Sequence, residues 1–224
     1  MPMESTCPAR WTSDVFSVKT PQSARLSFPT RRTSTTTSLV PRTRPWTAVP
    51  WSSSGSSYIP NLDGVSHFVK DIWPRIAAAH PHARLKIVGG APPPLLLALA
   101  GPRVELTGFV PDLRPHLAAA AAVVVPLRIG GGTRLKIIEA MAMSKAIVST
   151  TLGAEGIEAV SGRDLLVEDE PTAFADAVSR LLANPDLAAH IGMSGRRLAE
   201  QRYTWKRAAQ ALEAFYRRIL DVGL

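Results

Sequence analysis

Apolar residues from Tyr58 onward fall in short runs that are separated by helical patterns. Five runs each predict a short buried strand: RLKIVGG, RVELTGF, AVVVPL, KAIVST and DLLVED. In the first helical segment, YIPNLDGVSHFVKDIWPRIAAAHP, apolar residues recur at helical spacing at Val65, Phe68, Val69, Ile72 and Ile76. Strands that alternate with helices are typical of a parallel sheet covered on both faces.

The fold class that this pattern predicts is α/β: a Rossmann-like parallel sheet with helices on both faces, preceded by an irregular N-terminal extension. Ligands of such a sheet bind at the carboxyl ends of its strands. The chain closes on three helical patterns, and the last, TWKRAAQALEAFYRRIL, carries one apolar stripe. The stripe consists of Trp205, Ala209, Leu212, Phe215, Tyr216 and Ile219.

The first 57 residues differ in composition from the rest. Residues 1–54 contain no Gly, Asn, Ile, His or Tyr and are crowded with Ser, Thr, Pro and Arg. Such a composition is typical of a disordered tail or a targeting leader, although Trp11, Trp46 and Trp51 are unusual for disorder. A third hypothesis is a frameshift, because GC-rich codons for PWSSSG, read one base earlier, encode the strand-like Val-Val-Phe-Val-Gly. We therefore divide the chain into residues 1–57, irregular, and residues 58–224, a folded domain.

Composition and charge narrow the functional classes. The chain is 46% hydrophobic and 20% charged, as soluble globular proteins are. Cys7 is the only cysteine, which excludes an intrachain disulfide and a Cys-based zinc site and favours a reducing, cytoplasmic location. The net charge of +8 is uneven, since residues 1–54 hold seven basic and two acidic residues and the remainder holds 19 and 16. A basic nucleic-acid-binding face is therefore not expected on the folded domain.

The stretch IGGGTRLKIIEAMA, directly after the predicted strand AVVVPL, has the features of an anion site. Its glycines let the backbone approach an anion without an intervening Cβ. The start of the next helix offers free N–H groups and the positive end of its dipole. Thr133 is expected to cap that helix.

The charged residues of the same stretch support this interpretation. Arg134 and Lys136 lie in the first helical turn, where cations are unfavourable unless an anion lies above them. Glu139, one turn later, can accept hydrogen bonds from two neighbouring hydroxyls. A tight turn followed by an ordinary Lys136–Glu139 surface ion pair would give the same residues. The order of strand, glycines, cations and acid favours the phosphate site.

These motifs resemble the C-terminal donor-binding domain of family-four glycosyltransferases with the GT-B fold (glycosyl transferases group 1). The resemblance rests on LTGFVPDLRPHLAAAAAVVVPL, RIGGGTRLKIIEAMA and KAIVSTTLGAEGIE, and it runs from about Tyr58 to the end. It implies a hexosyl-type transfer from a nucleotide-diphosphate sugar to an unknown acceptor, usually with retention, without a metal or other cofactor. The second domain of such enzymes, which binds the acceptor, has no counterpart in the sequence. We therefore expect a truncated enzyme, assign no catalytic residue, and expect little turnover by this chain alone.

The resemblance also implies roles for individual residues. The donor diphosphate is expected to bind at Gly130, Gly131, Gly132, Thr133, Arg134 and Lys136. Glu139 matches the second carboxylate of the family's Glu-x7-Glu motif, which holds the ribose; the first would fall at Gly131. The expected nucleobase loop is Gly108, Phe109 and Val110, and the expected phosphate-proximal loop is Gly153, Ala154 and Glu155.

Two other functional classes stay open. One is a nucleotide-binding remnant without catalysis, and the other is a nucleic-acid binder that uses the basic arm of residues 1–54. The implied partners are a nucleotide sugar and a sugar, lipid or small-molecule acceptor, with peripheral membrane association of the full enzyme; nucleic acid is not expected. The five histidines have no metal-ligand spacing and are interpreted as ordinary surface or packing residues.

Overall fold

A computed structural model describes residues 46–50, 59–90 and 92–221. Six strands form one sheet in the order β3-β2-β1-β4-β5-β6, and every neighbouring pair is parallel. The strands are β1 Trp46–Pro50, β2 Arg84–Val88, β3 Val104–Leu106, β4 Ala120–Val125, β5 Ile147–Ser149 and β6 Leu166–Val167. This is the doubly wound strand order, so the predicted Rossmann-like class is confirmed. The five strands predicted from apolar runs are all present.

The central strand β1 comes from the segment that the sequence pattern describes as irregular. Trp46–Pro50 pairs with β2 on one side and β4 on the other, so the prediction was wrong for these five residues. Thr47 is fully buried, and its hydroxyl has no hydrogen-bond partner among the described residues. Backbone pairing on both sides places this strand at the centre of the sheet. Residues 1–45 and 51–58, and with them the tail, leader and frameshift hypotheses, lie outside the described residues.

Eight α-helices are described around the sheet, with one π-helical segment between the first two. The helices are α1 Ile59–His67, α2 Trp73–Ala79, α3 Pro94–Leu97, α4 Arg114–Ala119, α5 Leu135–Ala142, α6 Pro171–Ala183, α7 Pro185–Arg202 and α8 Trp205–Asp221. The π-helical segment is Phe68–Ile72, and the N–H of Trp73 donates to the carbonyl of Phe68, five residues earlier. Pro74 follows at once and has no N–H to continue an α-helical ladder. The single helix predicted here is therefore interrupted at its centre.

Apolar side chains pack against both faces of the sheet. On one face, α1, α2 and α6 enclose the larger core, where the rings of Phe68 and Phe174 meet edge to face at 5.9 Å. On the other face, Ile137 and Met141 of α5 are fully buried against β4 and β5. A Cβ at Gly195 in α7 would lie 2.8 Å from the Asp164 carbonyl oxygen. The segment IGMSG, residues 191–195, is thus a close-packing surface of α7.

The helix α8 differs from the others in its burial. The predicted helix is confirmed, but residues 205–220 are all exposed, including the apolar Trp205 at 72% and Tyr216 at 57%. No helix within the described ranges is both long and apolar enough to cross a bilayer.

Candidate functional site

The residues predicted to bind a ligand follow the carboxyl ends of three parallel strands. Residues 108–110 follow β3, the glycine loop follows β4, and residues 153–155 follow β5. The helix α1, which was not predicted to be part of the site, follows β1. Carboxyl ends of parallel strands share one edge of the sheet, so these segments lie at the same edge. The order β3-β2-β1-β4-β5-β6 reverses between β1 and β4, which is where a doubly wound fold binds ligands.

The approach of α1 to this edge depends on one glycine. A Cβ at Gly64 would lie 2.7 Å from the carbonyl oxygen of Pro126, just beyond β4. Any larger side chain would force the helix away from the strand. Gly64 thus brings the first turn of α1 beside the loop that leads into α5.

The glycine loop between β4 and α5 is exposed backbone. Gly130, Gly131, Gly132 and Thr133 are all exposed, and a Cβ at Gly131 or Gly132 would meet no atom within 4 Å. Gly130 and Gly132 have φ values of 98° and 94°, in the left-handed region that favours glycine. The loop therefore combines the required glycine conformation with open space above it.

Thr133 does not cap α5 as the sequence pattern predicted. The residue at the N-cap position is Arg134, and no side chain caps the helix. The carbonyl of Thr133 instead accepts the N–H of Leu135 at 3.0 Å, so the helix starts one residue later and the hydroxyl of Thr133 stays exposed. The expected role of Thr133 as a helix cap is corrected, while its role as a ligand contact stays a prediction.

Arg134 is buried, with 4% of its surface exposed, and folds back under the loop. Its guanidinium donates to the carbonyl oxygens of Gly131 at 3.2 Å and Gly130 at 3.1 Å. It also donates, at 3.1 Å, to Oε2 of Glu155, which lies in the loop after β5. Its Nε is buried with no partner in the described part of the chain. The charge of Arg134 thus lies behind the glycine loop and braces its shape.

Lys136 reaches across from α5 to α1. Its Nζ donates to Asn61 Oδ1 at 2.6 Å, and Asn61 is buried, with 4% of its surface exposed. Burial of the ammonium group and, to a smaller extent, the neighbouring Arg134 charge lower the pKa of Lys136, Glu139 opposes both, and the resulting pKa is about 8. The cation is therefore poorly solvated and is bonded to a neutral oxygen.

Glu139 lies one turn beyond Lys136 on α5 and is an exposed residue. Partial burial of its carboxyl group raises the pKa of Glu139, and the charge of Lys136 lowers it. A raised pKa is expected for a carboxylate that has lost part of its hydration without forming an ion pair. The ordinary Lys136–Glu139 surface pair considered from the sequence is not among the ion pairs formed by the described residues.

The loop after β5 is held by hydrogen bonds to the end of β4 and within the loop itself. Ser149 Oγ donates to the carbonyl of Val125 at 3.2 Å, and the N–H of Gly153 donates to Thr150 Oγ1 at 2.9 Å. A Cβ at Gly153 would lie 2.6 Å from the Val125 carbonyl oxygen. This close approach ties the loop to the end of β4, so that Glu155 can reach Arg134.

The expected nucleobase loop lies apart from this cluster. Gly108 has a φ of 68°, and Phe109 is exposed at 72%. Since β3 is separated from β4 by β2 and β1, residues 108–110 begin roughly 14 Å from the glycine loop at about 4.8 Å per strand. That separation suits two ends of one extended ligand, and residues 108–110 are not part of the Arg134 and Lys136 cluster.

Several contacts at this edge were missed from the sequence. Arg128, just before the glycines, donates to both oxygens of Asp63 at 2.6 and 3.1 Å. This hydrogen bond from Arg128 lowers the pKa of Asp63. His67 is buried, and its Nδ1 lies 2.7 Å from Oδ2 of Asp71. Among residues 59–90 and 92–221, no three potential ligands are grouped as a metal site.

The position of Asn61 in the sequence pattern indicates that its side chain is buried. It precedes Val65 by four positions and Phe68 by seven, so it continues the apolar stripe of the first helix backwards. A polar residue on a buried stripe needs a hydrogen-bond partner inside the protein. This signal predicts a buried polar contact without identifying Lys136 as the partner.

The strand order defines the class of protein, a Rossmann-like domain, and its likeness to solved glycosyltransferase structures identifies it as one half of a GT-B fold. Residues 53–184 match the family model described as Glycosyl transferases group 1. The match covers more than half of the chain, so the chain belongs to this family.

Individual relatives agree with the family. The chain is 28% identical over 180 residues to alpha-maltose-1-phosphate synthase of Mycolicibacterium smegmatis, covering 70% of this chain and 45% of that protein. Its structure is similar to sucrose-phosphate synthase from Thermosynechococcus elongatus, with a TM-score of 0.65, 23% identity, and 80% of this chain and 46% of that chain covered. It is also similar to HepE of Anabaena in complex with UDP and glucose, with a TM-score of 0.61, 17% identity, and 76% and 48% covered.

The chain spans slightly less than half the length of the curated relatives that it matches, 45% and 43%. By contrast, it covers 87% of the C-terminal domain of the LpcC glycosyl transferase from Francisella tularensis, with a TM-score of 0.57 and 18% identity. The likeness is therefore to one half of a two-domain enzyme.

Proposed function

We propose that this chain is the donor-binding half of a glycosyltransferase that uses a nucleotide-diphosphate sugar. The observation that carries the proposal is the state of Lys136 at the strand-order switch. Within the described residues its ammonium group is bonded only to the neutral Asn61, so its charge is not neutralised. The exposed backbone of the glycine loop lies next to it. A cation that has lost water without gaining a carboxylate binds an anion at little further desolvation cost. The UDP complex of HepE supports a nucleoside diphosphate as that anion.

The site residues divide into four groups in this proposal. The diphosphate lies against the backbone of Gly130, Gly131 and Gly132, with Thr133 and Lys136 as side-chain contacts and Arg134 as a charge behind the loop. Glu139 accepts from the ribose hydroxyls, and Gly108, Phe109 and Val110 contact the nucleobase. Gly153, Ala154 and Glu155 lie on the phosphate side, where Glu155 is bonded to Arg134.

The chemistry proposed for the full enzyme is transfer of a hexosyl group with retention. The bond between the anomeric carbon and the donor's phosphate oxygen breaks, an acceptor oxygen bonds to that carbon and passes its proton to the departing phosphate oxygen, and the nucleoside diphosphate leaves. Negative charge grows on the leaving diphosphate, so Lys136 and the loop N–H groups stabilise the transition state more than the ground state. The acceptor, a sugar, lipid or small molecule, and any peripheral membrane contact are assigned to the remaining half of the enzyme, and a cytoplasmic location stays an expectation from the single cysteine.

A binding measurement tests the proposal directly. Calorimetry with UDP, GDP, ADP and the matching nucleosides should reveal binding of at least one diphosphate. Lys136→Ala should weaken that binding about 10- to 100-fold, because a hydrogen bond to a charged group contributes about 1.5–3 kcal/mol. Lys206→Ala, which removes an exposed lysine of α8, is the matched control and should leave the affinity unchanged. Equal affinity in wild type and Lys136→Ala would refute the proposed site.

The second candidate, a binding remnant without turnover, is favoured by one observation: Gly131 stands where the first carboxylate of the family's Glu-x7-Glu motif would fall. Release of the nucleoside diphosphate from UDP-glucose and GDP-mannose, measured with the full chain, separates the two. Binding without release in the presence of simple sugar acceptors would support the remnant.

A further inference from the structure

We infer that Asn61 is a positioning residue of the donor site: its amide oxygen holds the Lys136 ammonium group in place for the diphosphate without neutralising it. The inference rests on the proposed function and adds to it a residue of α1, which the expected donor motifs do not contain. It also gives the buried polar residue of the first helical stripe a specific purpose.

The geometry limits what Asn61 can do. It lies in the first turn of α1, on the β1 side of the strand-order switch, while Lys136 lies in the first turn of α5, on the β4 side. The hydrogen bond of 2.6 Å between them spans that switch. Because Asn61 is 4% exposed, its side chain has little freedom, and it therefore fixes the otherwise flexible end of a lysine.

The identity of the side chain matters as much as its position. An ammonium group has three N–H donors, and Asn61 is its one hydrogen-bond acceptor among the described residues, which leaves donors for a ligand. Asp63, two residues later, is already neutralised by Arg128 at 2.6 Å. A carboxylate at position 61 would form an ion pair with Lys136 and repel a diphosphate. An amide orients the cation and keeps its charge for the ligand.

The test is a double-mutant cycle in the full chain, with UDP and uridine as the probes. Asn61→Ala should weaken UDP binding about 3- to 10-fold, the effect of one hydrogen bond, and leave uridine binding unchanged. In a Lys136→Ala background, Asn61→Ala should cause no further loss, because Asn61 acts through Lys136. Losses that multiply in the double variant would overturn the inference.

An isosteric variant separates positioning from a merely structural role. Asn61→Asp should weaken UDP binding more than Asn61→Ala does and move the pH at which binding declines upward, since a carboxylate raises the pKa of a bonded lysine. Gln201→Glu makes the same amide-to-carboxylate change at an exposed site of α7 and should alter neither quantity. Thermal melting of each variant establishes that it is folded.

The possible results distinguish this inference from the proposed function. If wild type binds UDP, Lys136→Ala weakens the binding and both Asn61 variants bind as wild type does, the Asn61 inference fails and the donor site remains. If wild type binds no nucleoside diphosphate at all, both fail. A loss of uridine and UDP binding in equal proportion would make Asn61 structural and would also overturn the inference.

Discussion

Lys136 should make the free energy of unfolding and the affinity for a diphosphate respond to pH in opposite directions. Burial lowers its pKa to about 8 in the folded chain, whereas an unfolded lysine has a value of about 10.4. Between these values the unfolded chain binds more protons than the folded chain, so the stability rises with pH. The diphosphate binds the protonated form, so its affinity falls over the same window.

The size of the stability effect follows from the two pKa values. Each pKa unit corresponds to about 1.4 kcal/mol, so their difference sets an upper bound of about 3 kcal/mol on the change in the free energy of unfolding. Lys136 is only partly buried, and water screens such a group, so we expect about 1–2 kcal/mol between pH 7 and pH 10. For the ligand, loss of the proton should weaken UDP binding by up to about tenfold for each pH unit above the pKa of about 8 of the ligand-free chain, until the pH reaches the higher pKa of Lys136 in the complex.

The assay compares wild type with Lys136→Met, which keeps the length of the side chain and a good helix former. Urea unfolding at pH 7, 8, 9 and 10 gives the difference in stability, in which the titration of all other groups cancels. Calorimetry with UDP and uridine from pH 7.5 to 9.5 gives the binding effect. The wild type should gain stability relative to Lys136→Met as the pH rises, while it loses affinity for UDP and not for uridine. A difference in stability that is flat across this range would refute the buried-lysine argument.

Three further predictions concern the packing that supports the site. In α7, Gly192→Ala should lower the free energy of unfolding in urea by about 1–3 kcal/mol, as overpacking does. The reason is that the new Cβ would lie 2.7 Å from the Ser144 carbonyl carbon. The control is Gly101→Ala, where a Cβ meets nothing within 4 Å, and it should change the stability by less than about 0.5 kcal/mol. Burial raises the pKa of Asp164, but its hydrogen bonds outweigh burial and lower it to about 2. The stability from Asp164 is therefore complete above about pH 4 and is lost as the pH falls through about 2, and Asp164→Asn should flatten the acid limb of a thermal-melting profile. Thr47→Val removes a buried hydroxyl without a partner and should stabilise the sheet by about 1 kcal/mol; a lower melting temperature would contradict this account of β1.

Local patterns predicted most of the architecture because they are carried by neighbouring residues. The run AVVVPL predicted β4, since Val123 and Val124 are completely buried and a strand covered on both faces is apolar throughout. The same logic could not find β1, because WTAVP contains a threonine that is buried without a hydrogen bond. Its place is fixed by β2 and β4 on either side, and that is a tertiary effect.

The candidate site was predicted as a set of residues but not as a set of contacts. The glycine loop, Arg134 and Lys136 were all identified from their order along the chain. That Arg134 points back to Gly130 and Gly131 depends on the left-handed φ of the glycines, which the sequence permits but does not require. That Lys136 bonds to Asn61, 75 positions away, depends on strand order, and no spacing along the chain encodes it.

The unfavourable features of this molecule are concentrated at the strand-order switch, and that concentration is itself an argument for function. A partly buried lysine with a lowered pKa, a buried arginine whose Nε has no partner among the described residues, and two glycines with positive φ lie within seven consecutive positions. The two desolvated cations oppose folding, and a structural turn would need the glycines but neither cation. Charged groups deprived of water are retained where a ligand restores the lost interactions. A diphosphate would supply acceptors to Lys136 and to the exposed loop amides at once, so saturating UDP should raise the melting temperature of wild type, and Lys136→Met should lose most of that rise.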